Sequence, residues 1–142
     1  MADVFSKEMR SRTMRAVRSV SELENKVSKA LWHRGLRFRK NVRSLTGTPD
    51  IAIKKYRIVI FVDSCFWHGC SEHCRIPSSN QKYWINKIQR NIERDEKVNE
   101  YYTSIGWEVI RIWEHDLRTD FNGTIDSIID IINSVKRICN ID

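Results

Sequence analysis

The stretch Ile58 to Cys74, IVIFVDSCFWHGCSEHC, decides how the rest of the chain is read. Its first part, Ile58-Val59-Ile60-Phe61-Val62, is short, apolar and rich in β-branched residues, which suits a buried strand. The run ends on an acid, Asp63. Beyond it come Cys65, Cys70 and Cys74, His68 and His73, and the aromatic pair Phe66-Trp67. A strand is a rigid mount, so groups at its carboxyl end can be held in place for chemistry. Metal ligation, acid/base catalysis and an aromatic probe are all candidate uses of this one strand end.

Working outward, the hydrophobic spacing predicts a helix over Ser21–Arg34, with Leu23, Val27, Ala30 and Leu31 on one face and Gly35 ending it. Ser21 and Glu24 fit a capping box. Strands are expected over Leu36–Val42, Asp50–Ile53 and Ile58–Asp63, the last two as a hairpin. Ser64–Asn80 reads as a long loop, and a loop of that length in a small domain is usually functional. A helix follows over Gln81–Thr103, then a strand over Trp107–Trp113. A closing amphipathic helix carries Ile125, Ile128, Ile129, Ile132 and Val135, its start marked by Asn122 and Gly123. The order αβββαβα implies an α/β sandwich around a small mixed sheet, as one domain over residues 1–142. Residues 1–20 read as a basic N-terminal arm. Trp32 and Trp107 are expected in the core.

The formal net charge is +7, with 25 Lys and Arg against 18 Asp and Glu, so a polyanion is the favoured partner, nucleic acid first. The sequence opens without a secretory signal, and no apolar run approaches membrane-spanning length, so a cytoplasmic chain with reduced thiols is expected. Three of the four cysteines fall between Cys65 and Cys74, which favours a metal over disulfides.

The acids have competing readings. Asp50 and Asp63 lie at adjacent ends of the hairpin and can share a Mg²⁺ if both face the same side; a slip of one residue would separate them. Asp95 lies on the apolar stripe of the long helix through Ile88 and Ile92, so it faces inward and needs a partner. His68 is the candidate, and a His–Asp pair is a general-base arrangement. The alternative is a structural ion pair with a nearby Arg or Lys. Glu24 is explained by capping as well as by catalysis. Cys65, Cys70 and Cys74 supply soft ligands for a structural Zn²⁺, with His115 as the remote fourth and His73 as a spare. Phe66, Trp67 and Trp84 either pack around the zinc loop or wedge between bases.

At these residues the sequence resembles the very short patch repair (Vsr) endonucleases. The matching pieces are RSRTMRAVRS (10–19), ALWHRGLRFRK (30–40), GTPDIAI (47–53), VIFVDSCFWHGCSEHCRIP (59–77), YWINKIQRNIERD (83–95) and GWEVIRIWEHDL (106–117). The final helix carries no matching motif. The resemblance implies a restriction-endonuclease-like fold. It also implies an enzyme that nicks duplex DNA 5′ to the T of a T·G mismatch left by deamination of 5-methylcytosine. It assigns catalytic Mg²⁺ to Asp50 with the Val62 carbonyl, the general base to His68 with Asp95, and Glu24 to the active site. Structural Zn²⁺ falls to Cys65, Cys70, Cys74 and His115, with Cys74 and His73 as alternatives because family zinc ligands vary. Phe66, Trp67 and Trp84 would enter the base stack, and the arm, with Met14 and Arg15, would reach the minor groove. A monomer acting at the nucleoid, with other repair factors as partners, is expected. Some members carry His in place of Asp63, which leaves Asp63 open between metal ligand and hydrogen-bond partner. Two other classes compete. One is a restriction endonuclease cutting matched DNA, against which Cys65 stands where many such enzymes carry Lys. The other is a non-catalytic zinc-stabilised DNA-binding module, against which Asp50, His68 and Asp95 stand together.

Overall fold

A computed structural model describes residues 21–72 and 74–139. Helix α1 covers residues 21–33. Strands β1 (Arg39–Lys40), β2 (Ile51–Ile53) and β3 (Ile58–Asp63) follow, with a 3₁₀ turn at Lys54–Tyr56 between the last two. Helix α2 (Gln81–Ser104) leads to β4 (Glu108–Trp113), then α3 (Glu114–Thr119) and α4 (Phe121–Cys139). The sheet runs β1-β2-β3-β4; the first two pairings are antiparallel and β3–β4 is parallel. A parallel pair needs a long crossover, and α2 with its preceding loop supplies it. The fold is therefore mixed α/β with a four-stranded mixed sheet flanked by helices, as the element order implied.

Alternation along the strands sorts side chains into two layers. Ile51, Ile53, Ile58, Ile60, Val62, Ile110 and Ile112 pack against Leu23, Val27 and Leu31 of α1 and Ile125, Ile128 and Ile132 of α4. Ala52, Val59 and Phe61 face the other way, against Val98 and Tyr102 of α2. Every residue of β3 is buried, and each fully buried aliphatic side chain contributes about 1.5–3 kcal/mol. Period two then carries Asp63 onto the α2 face, with Phe61.

Several elements differ from the sequence expectation. β1 is two residues long because Asn41 adopts a left-handed backbone (φ 48°) and bends the chain away. Irregular pairing continues beyond it, Asn41 N–H to the Asp50 carbonyl at 3.0 Å and Val42 N–H to that of Pro49 at 3.1 Å. Ser21 is already helical, so it is not the N-cap of α1. α4 starts two residues earlier than Gly123: Asp120 caps it by accepting the Gly123 N–H at 3.0 Å. A Cβ at Gly123 would lie 2.2 Å from Asp120 Oδ2, so the cap needs that glycine. Trp32 is half exposed rather than core, because the Arg37 guanidinium covers its ring at 3.7 Å instead of a hydrophobic layer. Trp107 packs partly buried at the edge of the second layer. Ile85 and Ile105 of the expected α2 stripe are exposed. Among the described residues no helix is long and apolar enough to cross a membrane.

Candidate active site and metal cluster

The hairpin register settles which way the acids face. Ile51 pairs with Ile60 and Ala52 with Val59, so Asp50 falls opposite Phe61 and on the same face as Asp63. No slip separates them. Asp50 is fixed by the backbone, since Val62 N–H donates to its Oδ2 at 2.7 Å. Glu24 reaches the same place from α1. Burial first, then the charge of Asp50 and a hydrogen bond with it, push Glu24 up to about pKa 7. Asp50 is also raised, by burial and then by Asp63, while the Val62 N–H acts against the rise. Two carboxylates crowded this way demand a proton or a cation between them. They fit a hard divalent ion with oxygen ligands.

Asp63 is held otherwise. Arg111 of β4 forks onto both of its oxygens, at 2.9 and 3.2 Å. Its carboxylate lies 3.7 Å from His68 Nδ1. Burial pushes the Asp63 carboxyl up, and His68 and Arg111 oppose that. The shortest contact of the His68 ring is between Nδ1 and Asp95 Oδ2 of α2. Asp95 thus faces inward, as its place on the helical stripe implied. These groups open on one cleft of about 390 Å³, lined also by Glu24, Asp50 and Trp67.

Beside the cleft, Cys65 Sγ and Cys70 Sγ lie 3.4 and 3.5 Å from His115 Nδ1. The ligand atoms of these residues lie within 4.8 Å of one another, a spacing that suits one soft metal ion. α3, which the sequence reading did not anticipate, starts directly after β4 and delivers His115. Burial pushes the Cys65 thiol up to about 11, which a metal would reverse by taking the thiolate. Cys74 is not in this group; its Sγ lies 3.6 Å from the Phe66 carbonyl. His73, Met14 and Arg15 lie outside the described residues.

Gly69 seats the loop. Its φ is +64°, and a Cβ there would meet Ile92 at 2.7 Å and Ile88 at 2.9 Å on α2. Between the thiols and His68 sit the aromatics. Phe66 and Trp67 meet edge to face at 5.0 Å, over Trp84 at 5.4 and 5.9 Å. Trp84 is 1% exposed and lies beneath the pair. In the first turn of α2 Trp84 is buried under the loop, while Gln81, Lys82 and Tyr83 are exposed. Asn91 Nδ2 fixes the loop by donating to the Trp67 carbonyl at 3.0 Å.

The sequence reading missed Arg111, Asn91 and Glu114, whose Oε1 accepts the Cys65 N–H at 3.2 Å. Arg111 had a usable signal. It is a lone cation in the alternating strand EVIRIW, on the side opposite Ile110 and Ile112, where a buried charge needs a partner.

Carboxylates crowded enough to call for a cation, next to an imidazole gripped by another carboxylate, suit hydrolysis of a charged ester, and the basic chain suits a nucleic-acid backbone. That is the class of a nuclease. Comparison with known proteins narrows it to one family: the family model for the DNA mismatch endonuclease Vsr matches residues 2–75. The chain is 43% identical over 119 residues to the type II nicking enzyme V.HpaIIP of Haemophilus parainfluenzae, covering 81% of this chain and 84% of that protein. It is 38% identical over 122 residues to the DNA mismatch endonuclease Vsr of Escherichia coli K12, covering 83% and 77%. It is 36% identical over 133 residues to the type II nicking enzyme V.NaeI of Lentzea aerocolonigenes, covering 89% and 78%. The chain belongs to the Vsr family and is a DNA endonuclease.

Proposed function

We propose that this endonuclease is a Mg²⁺-dependent mismatch nickase that cuts one strand 5′ to the T of a T·G pair arising from deaminated 5-methylcytosine. The observation that carries this reading is the aromatic pair Phe66-Trp67, mounted between the thiol cluster and His68 on the rim of the cleft. A plain hydrolytic site has no use for rings fixed there. A site that must open a base stack does.

Asp95 orients the His68 ring through Nδ1, which leaves Nε2 to take a proton from the attacking water. The water oxygen bonds to phosphorus as the bond from phosphorus to the 3′ oxygen breaks, in line. Asp50, with the Val62 carbonyl, would hold a Mg²⁺, which would supply stabilisation of the charge that develops at the phosphate. Glu24 shares the Asp50 carboxylate's surroundings and adds negative charge for that ion. Cys65, Cys70 and His115 would hold a structural Zn²⁺, with Cys74 or His73 as the fourth ligand. The basic sequence that carries Met14 and Arg15 would supply minor-groove contacts. Other repair factors act with the enzyme on DNA in the cytoplasm, where one domain works as a monomer.

The test is nicking of T·G, T·A and C·G duplexes of one sequence, with and without Mg²⁺. T·G alone should be nicked, on the T strand, and only with the ion. Equal cutting of matched DNA would replace this reading with a sequence-directed nicking enzyme, the activity in the names of two of the relatives above.

A further inference from the structure

We propose that Arg111 is a positioning residue for His68: its guanidinium holds the Asp63 carboxylate back from the imidazole nitrogen that Asp95 grips. This inference rests on His68 being the general base of the reaction proposed above.

Two carboxylates approach one ring nitrogen. Asp95 arrives from α2 and Asp63 from the end of β3, and with His68 their ligand atoms lie within 4.8 Å of one another. Asp63 Oδ1 stands 3.7 Å from Nδ1, just beyond hydrogen-bond reach. Nδ1 has one proton to give when the ring is neutral, so the two acids are rivals for it. A ring drawn toward Asp63 would turn Nε2 away from the substrate water.

Arg111 decides the rivalry. Its Nη1 binds both Asp63 oxygens, at 2.9 and 3.2 Å. Its Nε donates to Asn99 Oδ1 at 2.7 Å, and its Nη2 reaches the Asp95 carbonyl at 3.5 Å. The parallel register sets Arg111 opposite Phe61, whose ring lies 4.4 Å beneath the guanidinium. The cation is thus fixed from β3, α2 and the ring below. A planar fork can meet these directions together, and a single ammonium cannot. Arg111 is mostly buried and 3.7 Å from Asp95 Oδ1, so it also offsets the repulsion between the two acids.

The experiment compares Arg111→Met, Arg111→Lys and the double variant Asp63→Asn/Arg111→Met, each checked for fold and metal content. It reads single-turnover nicking of a T·G duplex at saturating Mg²⁺, DNA affinity, and the NMR signal of the His68 Nδ1 proton. Arg111→Met should nick about a hundredfold more slowly, since small misplacements of a catalytic group cost that much. Its DNA affinity should hold, and its Nδ1 signal should move. Neutralising the rival should recover part of the loss, so the double variant should be faster than Arg111→Met. A merely structural salt bridge would recover in the same way, because the unpaired Asp63 charge is removed, but it would leave the Nδ1 signal of Arg111→Met unmoved, and that result overturns the proposal. Wild-type turnover in Arg111→Met, or a double variant no faster than the single, overturns the proposal. If Arg111→Met does not fold, Arg111→Lys decides: a reduced rate with a shifted Nδ1 signal supports the proposal, and a wild-type rate overturns it. His68→Ala is the control on the underlying reading. If it still nicks, the general-base assignment fails; if it is inactive while Arg111→Met nicks at the wild-type rate, only the role of Arg111 fails.

Discussion

The backbone N–H of Val62 donates to Oδ2 of Asp50 at 2.7 Å, so the last turn of the β2–β3 ladder is closed by a side chain. The bond fixes one carboxylate oxygen, and the side chain lines the cleft beside Glu24. Asp50→Asn keeps the size of the side chain and can still accept that bond through its amide oxygen, but it removes the charge that a divalent ion needs. The expected result is loss of nicking by at least about a thousandfold, since metal stabilisation is worth several kcal/mol. Affinity for T·G duplex should stay near that of the unaltered chain. Turnover close to normal would move the metal site elsewhere.

Glu24 ties the site to pH. Its carboxyl is raised from 4.5 to about 7 by burial and by Asp50. In the folded chain it therefore keeps a proton that the unfolded chain has given up. Its contribution to stability is complete below about pH 4.5 and is lost as pH rises through about 7. In Mg²⁺-free buffer, with the thiol cluster left loaded, the melting temperature should fall across that window. Glu24→Gln should flatten the fall. Mg²⁺ should raise stability most above pH 7, where Glu24 is ionised. A melting curve independent of pH from 5 to 8 in the unaltered chain would contradict the crowding of Glu24 and Asp50.

Cys65, Cys70 and His115 come from two segments, so an ion held by them closes a long loop of chain. Elemental analysis should find one zinc per chain. Removing it should lower the melting temperature by roughly 10 °C, as expected for a loss of a few kcal/mol in a chain of this size. His115→Ala should reproduce much of that loss, because α3 would no longer be tied to the loop after β3. Cys74 stands outside the cluster, so Cys74→Ser should cost less than Cys65→Ser. A chain that folds normally without zinc would leave the thiols as packing.

The central strand and its acids were legible in the sequence because local rules agree there. A β-branched run ending on Asp63 has one reading, and hairpin alternation sends Asp50 and Asp63 to one face if the register holds. Asp95 was legible from helical spacing alone. Arg111 was not weighed, because its meaning depends on which strand lies beside β3, a long-range fact. α3 was missed because EHDLRT has too few turns to show a period. Trp32 failed in the other direction: a large aromatic on an amphipathic helix reads as core, but a neighbouring Arg37 covered it and left it at the surface. The capping box at Ser21 and Glu24 was a sequence match that the structure does not use: Ser21 is already helical, and Glu24 lies against Asp50.

The aromatic pair separates a mismatch enzyme from an ordinary nicking enzyme. The backbone of Trp67 is pinned at both ends: its amide N–H donates to Ser64 Oγ at 3.3 Å, and its carbonyl accepts from Asn91 Nδ2 at 3.0 Å. Beneath it, Phe66 and buried Trp84 form a stiff apolar base. Lys87 lies 6.0 Å over the Trp67 ring, placing positive charge where a phosphate backbone would pass. Entering a duplex costs a few kcal/mol per unstacked step, and less at a mismatch than at a matched pair. On the proposed reading the ring would add discrimination that hydrogen bonds alone would not. Trp67→Ala should retain its zinc, its fold and its salt-dependent affinity for matched duplex, which comes from phosphate contacts. Its ratio of T·G to T·A nicking, measured at fixed salt, should fall by roughly tenfold or more, as loss of one base-stacking aromatic costs about 1–3 kcal/mol. An unchanged ratio in a folded, zinc-loaded variant would assign Trp67 to packing of the loop, and selectivity for the mismatch would then rest on hydrogen bonds to the edges of the mispaired bases.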